Sequence, residues 1–449
     1  MNYNSDTICA LATPTCGALA VIRISGPRTH AIVGEICGSN TERTLRHTFV
    51  RDKQGEVVDE VMLSLFHAPH SYTGEDAAEI SCHGSPYIAR QILDMLIQHG
   101  CRMAAPGEFT QRAFLNGKMD LSQAEAVADL IASTNRATHQ MAMNQLRGRF
   151  SSELTQLRDR LLRLTTLLEL ELDFSDHEDL EFADRTELLQ LARFIDKRIL
   201  QLADSFQRGQ ALKNGIPVAI IGKTNVGKST LLNQLVGDDR AIISDIHGTT
   251  RDTIEDEIEI DGIRFRFIDT AGLRQTADEI ERIGIERTMK AVEKARIVIW
   301  LFDTRPSLKE MDEMSELTRG KRCINVLNKA DLYDMNRIVP FMVPMSFISA
   351  KNGTYIDSLK RRIIEEARVD GLLGNDSDVI VSNARHYEAL LRAHESIFQV
   401  TDGLTQNLPA DLIAEDLRLV LSTLGEITGG TITSQETLNN IFEHFCVGK

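Results

Sequence analysis

The sequence of 449 residues predicts a multidomain α/β protein made of three parts. Short β-type runs share residues 1–117 with helical sequence, and such runs alternate with helical segments across residues 212–370. Residues 118–211 and 371–449 are helical. Because neighbouring chain ends make a domain insertion inexpensive, the simplest architecture inserts the 212–370 domain between two halves of one helical domain. We expect the two halves to pack together.

The composition is that of an ordinary globular protein, with 42% apolar and 26% charged residues. A net charge of −15 argues against a surface that coats nucleic acid, although a local basic patch is compatible with it. The seven cysteines form no Cys-x-x-Cys pair, which favours a reducing compartment without a structural zinc site. Without a signal-peptide pattern or an apolar run of about 18 residues, we expect a soluble, cytoplasmic protein with no membrane association.

The N-terminal part contains β-type runs such as "GALAVIRIS" and "EVMLSLF" together with one amphipathic helix. Pro86 stands where the first residue of a helix tolerates proline, and Ile88, Ile92 and Leu96 fall on one face of the helix that follows. This combination predicts an α+β domain over residues 1–117.

The helical part begins at "DLSQAEAVADLIAS", where Ser122 and Glu125 have the spacing of a capping box. Residues 151–208 lack Gly and Pro, and five leucines recur there at spacings of three and four: Leu154, Leu157, Leu161, Leu164 and Leu168. This pattern predicts a helix with an apolar seam that needs a partner. The acidic stretch "DFSDHEDLEF" interrupts the pattern, and it favours a solvated junction between two helices over a metal site.

Five β-type runs mark the 212–370 domain: "IPVAIIG", "RFRFIDT", "RIVIWLFD", "CINVLN" and "MSFISAK". Because helical segments separate them, these runs predict βαβ units and a mostly parallel sheet that is covered on both faces. The linker "GLLGNDSD" ends this domain, and helical sequence resumes after it.

The stretch "GKTNVGKS", Gly222 to Ser229, has the spacing of a phosphate-binding loop. It follows the apolar run "VAII" and precedes the helical "TLLNQLV", which is the context that the motif requires. Lys228 can reach the β- and γ-phosphate oxygens, and the Ser229 hydroxyl can bind Mg²⁺. Downstream, "GTTRD" and "DTAG" follow, the latter with a carboxylate for the metal shell at Asp269 and an amide for the γ-phosphate at Gly272.

Two further motifs concern the base of the nucleotide. "NKAD" supplies Asn328, Lys329 and Asp331, and its last carboxylate can accept both N–H groups that guanine offers and adenine lacks. "SAK", residues 349–351, suits a backbone contact with the guanine carbonyl. Five motifs in this order and strand context predict a GTPase. Ras-like enzymes orient the attacking water with a glutamine after "DTAG", whereas this chain has Leu273, so carboxylates of "DEIERIGIER" are the candidates.

Six stretches together resemble the MnmE family, also called TrmE, of tRNA-modifying GTPases. They are "SYTGED", "RAFLNGKMDLSQAEAV", "GKTNVGKSTLLNQL", "DIHGTTRDT", "IDTAGLRQTADEIERIGIER" and "FCVGK". The resemblance runs from residue 6 to residue 449. It implies a Ras-like P-loop GTPase domain inserted in the discontinuous helical domain, an N-terminal domain that binds tetrahydrofolate, and a homodimer formed through the N-terminal domains.

The resemblance also implies an activity. Family members hydrolyse GTP and act with MnmG, a flavoprotein that carries FAD, in a heterotetramer or larger complex. Together they add a carboxymethylaminomethyl-type group at C5 of the wobble uridine (position 34) of certain tRNAs, with a one-carbon unit from 5-formyl- or methylene-tetrahydrofolate. Hydrolysis follows association of the two G domains, where K⁺ stabilises charge as an arginine finger would. A ribosome-assembly GTPase that binds rRNA is the alternative, but the helical C-terminal part offers no RNA-binding module.

Matched residue by residue, the resemblance implies a GTP site made of these residues: Asn225, Val226, Gly227, Lys228, Ser229, Thr230, Ser244, Thr249, Thr250, Asp269, Gly272, Asn328, Lys329, Asp331, Ser349, Ala350 and Lys351. Ser229 and Thr250 are the implied Mg²⁺ ligands. The implied K⁺ site is formed by Asn225, Ser244, Ile246, Gly248 and Thr249. Glu281 is implied to position the hydrolytic water, whereas the residues alone favour a solvated helix position for it.

The implied folate site comprises Arg23, Glu79, Lys118 and Lys449. Without the family, Arg23 and Glu79 fit an ordinary surface ion pair equally well. A pteridine needs hydrogen-bond donors and acceptors and a glutamyl tail attracts cations, so these residue types suit a folate. Two departures from the family pattern affect the shape of the pocket: "TPTCGALA" lacks extra glycines, and Ser85 replaces a glycine.

The C-terminal "HFCVGK" places Cys446 three residues from the chain end. It is not a prenylation signal, because lysine is the wrong last residue. Thr433 and Glu436 predict a capped last helix, whose apolar residues can dock on the helical domain: Ile441, Phe442 and Phe445. A docked tail would bring Cys446 and Lys449 to the folate site, so we expect Cys446 to be an active-site thiol with a catalytic role.

Overall fold

The computed structural model describes residues 6–14, 17–38, 44–173, 185–237, 256–268, 289–333, 344–372, 378–430, 435–443 and 445–448. The chain divides into two compact units. The first unit comprises Met1–Ala132, Ala142–Ile195 and Arg392–Lys449, and the second comprises Ser133–Met141 and Asp196–Leu391.

Strands and helices are numbered in chain order over the described residues. The strands β1–β12 are Thr7–Leu11, Leu19–Ser25, Leu45–Arg51, Val57–Phe66, Ala77–His83, Cys101–Met103, Ile216–Ile221, Asp256–Ile260, Ile263–Phe267, Ile297–Phe302, Arg322–Leu327 and Met345–Phe347. The helices α1–α13 are Thr29–Cys37, Pro86–Gln98, Glu108–Leu115, Leu121–Ala132, Arg136–Leu146, Arg149–Asp173, Arg185–Asn214, Lys228–Gly237, Leu308–Leu317, Ile356–Val369, Ala384–Thr405, Ala410–Thr428 and Gln435–Phe442. No described helix combines the length and the apolar character needed to cross a membrane.

The N-terminal region forms a six-stranded sheet in the order β3-β4-β5-β2-β1-β6. Neighbouring strands are antiparallel except β1 and β6, which run parallel. Helices α1 and α2 pack on the sheet over a shared core that includes Ile22, Ile32, Ile80 and Ile92. The α+β class is confirmed, but α1 and α3 were not predicted. The α1 sequence "THAIVGEIC" is short and rich in β-branched residues, so it lacks a clear helical signal.

The predicted leucine seam lies on α6, where all five leucines are buried. Its partner is α12, and Arg418 of that helix donates to Glu169 of α6 at 3.1 Å. In the second unit, the amide of Val381 donates to Ser205 Oγ at 2.9 Å, and Phe206 stacks on Tyr387 with ring centroids 4.4 Å apart. Helical sequence from before and after the inserted domain therefore packs together, as expected. Helices α6 and α7 flank the acidic stretch, whose residues after Asp173 lie outside the described ones.

The capping box of α4 is formed by Asp120 and Gln123, so the prediction of Ser122 and Glu125 was wrong. Asp120 Oδ1 accepts from the Gln123 amide at 2.9 Å, and Gln123 Oε1 accepts from the Asp120 amide at 3.0 Å. Ser122 is buried inside the helix and shares a hydrogen bond of 3.0 Å with Ser151 of α6. The same three-residue spacing occurs two residues earlier, with an aspartate that is an equally good cap.

The second sheet has the order β12-β11-β10-β7-β9-β8, and it is parallel except for the antiparallel pair β8 and β9. Alternate residues of the central strand β10 point to two different cores. Ile297, Ile299 and Leu301 join the core that includes residues of α8 and α10. Their neighbours face the other side: Val298, Trp300 and Phe302. The sheet is thus covered on both faces, which confirms the prediction from the five β-type runs.

Candidate functional site

The phosphate-binding loop joins β7 to α8 in the second unit. Gly222 has a φ of +152°, and a Cβ atom there would lie 2.1 Å from the carbonyl oxygen of Leu301. Gly227 has a φ of +99°, and its Cβ would lie 2.4 Å from Asn328 Nδ2. Asn225, between them, adopts a left-handed conformation with a φ of +63°. Glycine is required at both ends because the loop passes directly against neighbouring strand ends.

Lys228 is held inside this loop. Its Nζ donates to the carbonyl oxygens of Gly222 and Lys223, both at 2.8 Å. Burial lowers the pKa of the Lys228 ammonium below its usual value. Helix α8 begins at this residue, so the amides of its first turn, which includes Ser229 and Thr230, lie at the positive end of the helix dipole. The arrangement can bind a polyphosphate, whose charge would favour the ammonium form.

Asn328 connects the phosphate loop to the last motif. Its Nδ2 donates to the carbonyl of Val226 at 2.7 Å, and its Oδ1 accepts from the amide of Ala350 at 2.9 Å. Both Asn328 and Val226 are buried. Asn328 thereby bridges two backbone segments, one 102 residues before it and the other 22 residues after it, and holds the three motifs together.

Asp331 is the residue predicted to recognise the guanine base. Ser349 Oγ donates to Asp331 Oδ1 at 2.5 Å. Ser349 is buried and is fixed through two backbone hydrogen bonds of 3.1 Å with Thr354. Lys329 donates to Asp303 at 2.6 Å, and Lys351 is exposed. A carboxylate held this way can accept two adjacent N–H groups.

Much of the predicted catalytic machinery lies outside the described residues. This applies to Ser244, Ile246, Gly248, Thr249, Thr250, Asp269, Gly272, Leu273 and Glu281. Of the predicted K⁺ and Mg²⁺ ligands, Asn225 and Ser229 belong to the described part of the chain, with Asn225 in the middle of the phosphate loop and Ser229 at its end. Their roles, and that of Glu281, stay predictions.

A second cluster forms around Arg23 in the first unit. Strands β2 and β5 pair Arg23 with Glu79, and Arg23 Nε and Nη2 donate to Glu79 Oε1 at 2.9 and 2.8 Å. Arg23 Nη1 donates to the carbonyl of Gly448 at 3.1 Å. The guanidinium carbon lies 5.4 Å from the ring centre of Tyr72 and 5.7 Å from that of Phe109. The two aromatic residues were not predicted, although Tyr72 belongs to the family stretch "SYTGED".

Residues 67–76, here called the Tyr72 loop, connect this cluster to Lys118. Lys118 Nζ donates to the carbonyl of Pro69 at 2.9 Å, so it contacts the loop that carries Tyr72. The Tyr72 hydroxyl shares a hydrogen bond of 2.9 Å with Thr110, and burial raises the pKa of Tyr72. Lys118 is thus placed at this loop, whereas Lys449 lies outside the described residues.

The C-terminal tail docks on the first unit, as predicted. Phe442 packs with Leu121 of α4, and Ile441 and Phe445 lie against the same core. Gly107 has a φ of +66°, and a Cβ there would lie 2.9 Å from the Phe442 carbonyl oxygen. The Gly107 amide donates to the Cys446 carbonyl at 3.4 Å, and the Cys446 side chain is exposed. The predicted cap residue Thr433 lies outside the described residues, as does the side chain of Glu436.

A buried ionic network, which sequence reasoning missed, supports the Tyr72 loop. Arg112 is 2% exposed and donates to Asp6 Oδ1 at 2.6 Å, Glu108 Oε1 at 3.0 Å and Glu75 Oε1 at 3.2 Å. Burial alone would raise the pKa of the Asp6 and Glu108 carboxyls, but hydrogen bonds from Arg102 and Arg112 lower both pKa values below their usual range. Glu75, near the loop's end, is thereby tied to α3.

Two family models match the chain. The model for the "GTP-binding protein TrmE N-terminus" matches residues 7–118, and that for the "MnmE helical domain" matches residues 121–446. Proteins called "tRNA modification GTPase MnmE" from Parabacteroides distasonis and Bacteroides fragilis are 51% and 50% identical, over 99% of this chain and 100% of theirs. The protein of that name from Flavobacterium johnsoniae is 47% identical over 99% of this chain and 100% of its own.

Among solved structures, the G domain of the T. maritima FeoB iron transporter is 24% identical and overlaps 34% of this chain and 98% of its own length, with a TM-score of 0.25. A TM-score this low supports no structural argument. Identity near 50% over the whole chain does support common descent with the three relatives above.

Proposed function

Because the chain belongs to the MnmE family of tRNA modification GTPases, we propose that it hydrolyses GTP in the course of modifying tRNA. The observation that carries this proposal is the pair formed by Asp331 and Ser349, which Asn328 joins to the phosphate loop. This geometry supports recognition of guanine at a fixed distance from the phosphate-binding loop. A ribosome-assembly GTPase would share this geometry, and the family match is what favours tRNA modification over that alternative.

For hydrolysis, we propose that Lys228 binds the β- and γ-phosphates and that Glu281 positions the attacking water. Asp269 and Gly272 complete the γ-phosphate end. Mg²⁺, held by Ser229 and Thr250, and K⁺, held by oxygens of the 244–249 loop together with Asn225, would neutralise charge that develops on the phosphates. The donor types support these assignments, because hydroxyl, amide and carbonyl oxygens suit hard cations.

For tRNA modification, we propose that the Arg23 cluster binds a tetrahydrofolate derivative. Arg23 and Glu79 supply a donor and an acceptor beside the aromatic faces of Tyr72 and Phe109, which suits a flat, polar pteridine. Lys118 and Lys449 would attract the glutamyl carboxylates. The docked tail supports a position for Cys446 at this site.

The finer activity is that implied by the family. We propose that a homodimer acts with an MnmG-type flavoprotein carrying FAD, in a heterotetramer or larger complex. It adds a carboxymethylaminomethyl-type group to C5 of the wobble uridine, and we propose that it acts in the cytoplasm. We propose domains at residues 1–117, 118–211 with 371–449, and 212–370.

Mass spectrometry of tRNA nucleosides tests the modification. Cells that lack the gene should lose the C5 substituent of the wobble uridine, and the wild-type gene should restore it. If the substituent persists in cells without the gene, the modification proposal fails while the GTPase proposal stands.

A comparison of GTP turnover in KCl and NaCl tests the K⁺ site. Turnover should be faster in KCl, and Asn225→Ala should remove the difference. Asn233→Ala, at an exposed position of α8, is the matched control and should keep it. Equal rates of the wild type in both salts would exclude Asn225 from a K⁺ site.

A further inference from the structure

Two histidines and one carboxylate converge at the base of the Tyr72 loop. His30 lies on α1, His67 follows β4, and Asp76 precedes β5. One ligand atom from each of these residues lies within 4.8 Å of the other two. None of the three belongs to the GTP or folate residues described above. We propose that this trio binds one divalent transition-metal ion of the Zn²⁺ type.

Hydrogen bonds already orient two of the three ligands. His30 Nε2 lies 3.2 Å from the carbonyl oxygen of Phe66, which can only accept, so the proton belongs on Nε2 and the Nδ1 lone pair is free. That Nδ1 lies 3.9 Å from Asp76 Oδ2. Asp76 Oδ1 accepts from the amide of Ala68 at 3.0 Å, which fixes the carboxylate. A backbone carbonyl behind a histidine is a common outer shell of metal sites.

The third ligand, His67, is exposed and can adjust. Its ring meets that of His30 edge-on, with centroids 4.5 Å apart and an interplanar angle of 73°. Tetrahedral bonds of about 2.1 Å place ligand atoms about 3.4 Å apart, so the His30 and Asp76 atoms need to close by only about 0.5 Å. Two imidazoles and a carboxylate favour zinc or a similar transition metal over Mg²⁺ or Ca²⁺, and they leave one coordination position open.

The position of the trio indicates that a bound ion would stabilise the Tyr72 loop. His67 and Asp76 are the first and last residues of the Tyr72 loop, so a shared ion would join the two ends of the loop and tie both to α1. The loop carries Tyr72 against Arg23 and Glu75 against Arg112. Metal binding should therefore slow the opening of this loop.

The test is a Zn²⁺ titration of the full, nucleotide-free, metal-stripped chain by calorimetry against a competing chelator. His67→Ala, at an exposed position, and Asp76→Asn should each weaken one Zn²⁺ equivalent by at least about 10-fold. Two controls should leave that equivalent unchanged. His47→Ala removes a histidine that pairs with Glu60 at 2.7 Å and that joins no trio of metal-binding side chains among the described residues. His70→Ala removes an exposed histidine of the Tyr72 loop.

Amide hydrogen exchange gives a second readout that does not depend on other zinc-binding groups, such as the exposed Cys446. Zn²⁺ should slow exchange within residues 67–76 of the wild type and of His70→Ala, but not of His67→Ala. Zn²⁺ stoichiometry and affinity that are the same in the wild type, His67→Ala and Asp76→Asn would overturn the proposal, as would loop exchange that Zn²⁺ leaves unchanged in the wild type.

Discussion

Exchanging Asp331 for asparagine should shift the nucleotide preference from guanine towards xanthine. The carboxylate can accept from N1–H and from the exocyclic amine of guanine, whereas asparagine offers one acceptor and one donor. Xanthine carries a carbonyl where guanine has that amine, so it matches the asparagine side chain. Ser349 Oγ, which donates to Asp331 Oδ1 at 2.5 Å, can still donate to the asparagine oxygen, so the local structure should persist.

The size of the shift follows from the bonds at stake. Hydrogen bonds to charged groups contribute about 1.5–3 kcal/mol each. The substitution replaces one of them by two donors that face each other, and it removes the charge from the acceptor of the other. The affinity for GDP should therefore fall by roughly 10²- to 10⁴-fold, since each 1.4 kcal/mol or so is tenfold. The lower end is expected here, because the Asp331 side chain is exposed and water competes for it.

The assay is competition of GDP and xanthosine diphosphate against a fluorescent guanine nucleotide at equilibrium. Asp357→Asn makes the same chemical change at an exposed position in the first turn of α10 and should leave both affinities unchanged. Guanine recognition by Asp331 is refuted if Asp331→Asn binds GDP within about threefold of the wild type, or if this variant gains no affinity for xanthosine diphosphate.

Three further predictions concern the first unit. Arg23→Lys replaces a fork of hydrogen bonds to Glu79 and Gly448 by a point charge, and it should weaken 5-formyl-tetrahydrofolate binding at least about 10-fold in calorimetry. Gly107→Ala should release the tail, seen as faster hydrogen exchange in α13, because its Cβ would meet Phe442. Gly117→Ala, at a φ of +67°, has the same backbone cost of about 1–2 kcal/mol without the collision, since its Cβ would meet no atom of another described segment within 4 Å. The pKa values of Asp6 and Glu108 are lowered in the folded state, so the unfolded chain binds more protons. The stability that these carboxylates contribute is therefore present above about pH 4–5 and is lost as the pH falls through the folded pKa values, a trend that urea midpoints should follow. Arg112→Met should lower the free energy of unfolding by about 3–5 kcal/mol at pH 7.

Local patterns made much of the fold predictable. The family, the fold class, the parallel sheet and the leucine seam on α6 rest on motif spacing and on periods of two or 3.6 residues, and all are confirmed. The α4 capping box shows the limit of such patterns. Asp120 with Gln123 and Ser122 with Glu125 both have the required spacing, and only the packing of the buried side of the helix determines which pair caps it. Arg112 shows a different limit. Its partners Asp6 and Glu75 are 106 and 37 residues away in sequence, and no local rule pairs them.

Arg23 also shows why an ion pair and a binding residue were indistinguishable in the sequence. A guanidinium has five N–H donors, and the described contacts of Arg23 use three of them, two on Glu79 and one on Gly448. The two N–H groups that these contacts leave over are therefore held in a fixed plane beside Tyr72 and Phe109. The ion pair is thus the device that orients the remaining donors, and the two interpretations describe one arrangement. Because Gly448 supplies one of the three fixed bonds, the orientation of this group depends on the last residues of the chain being docked.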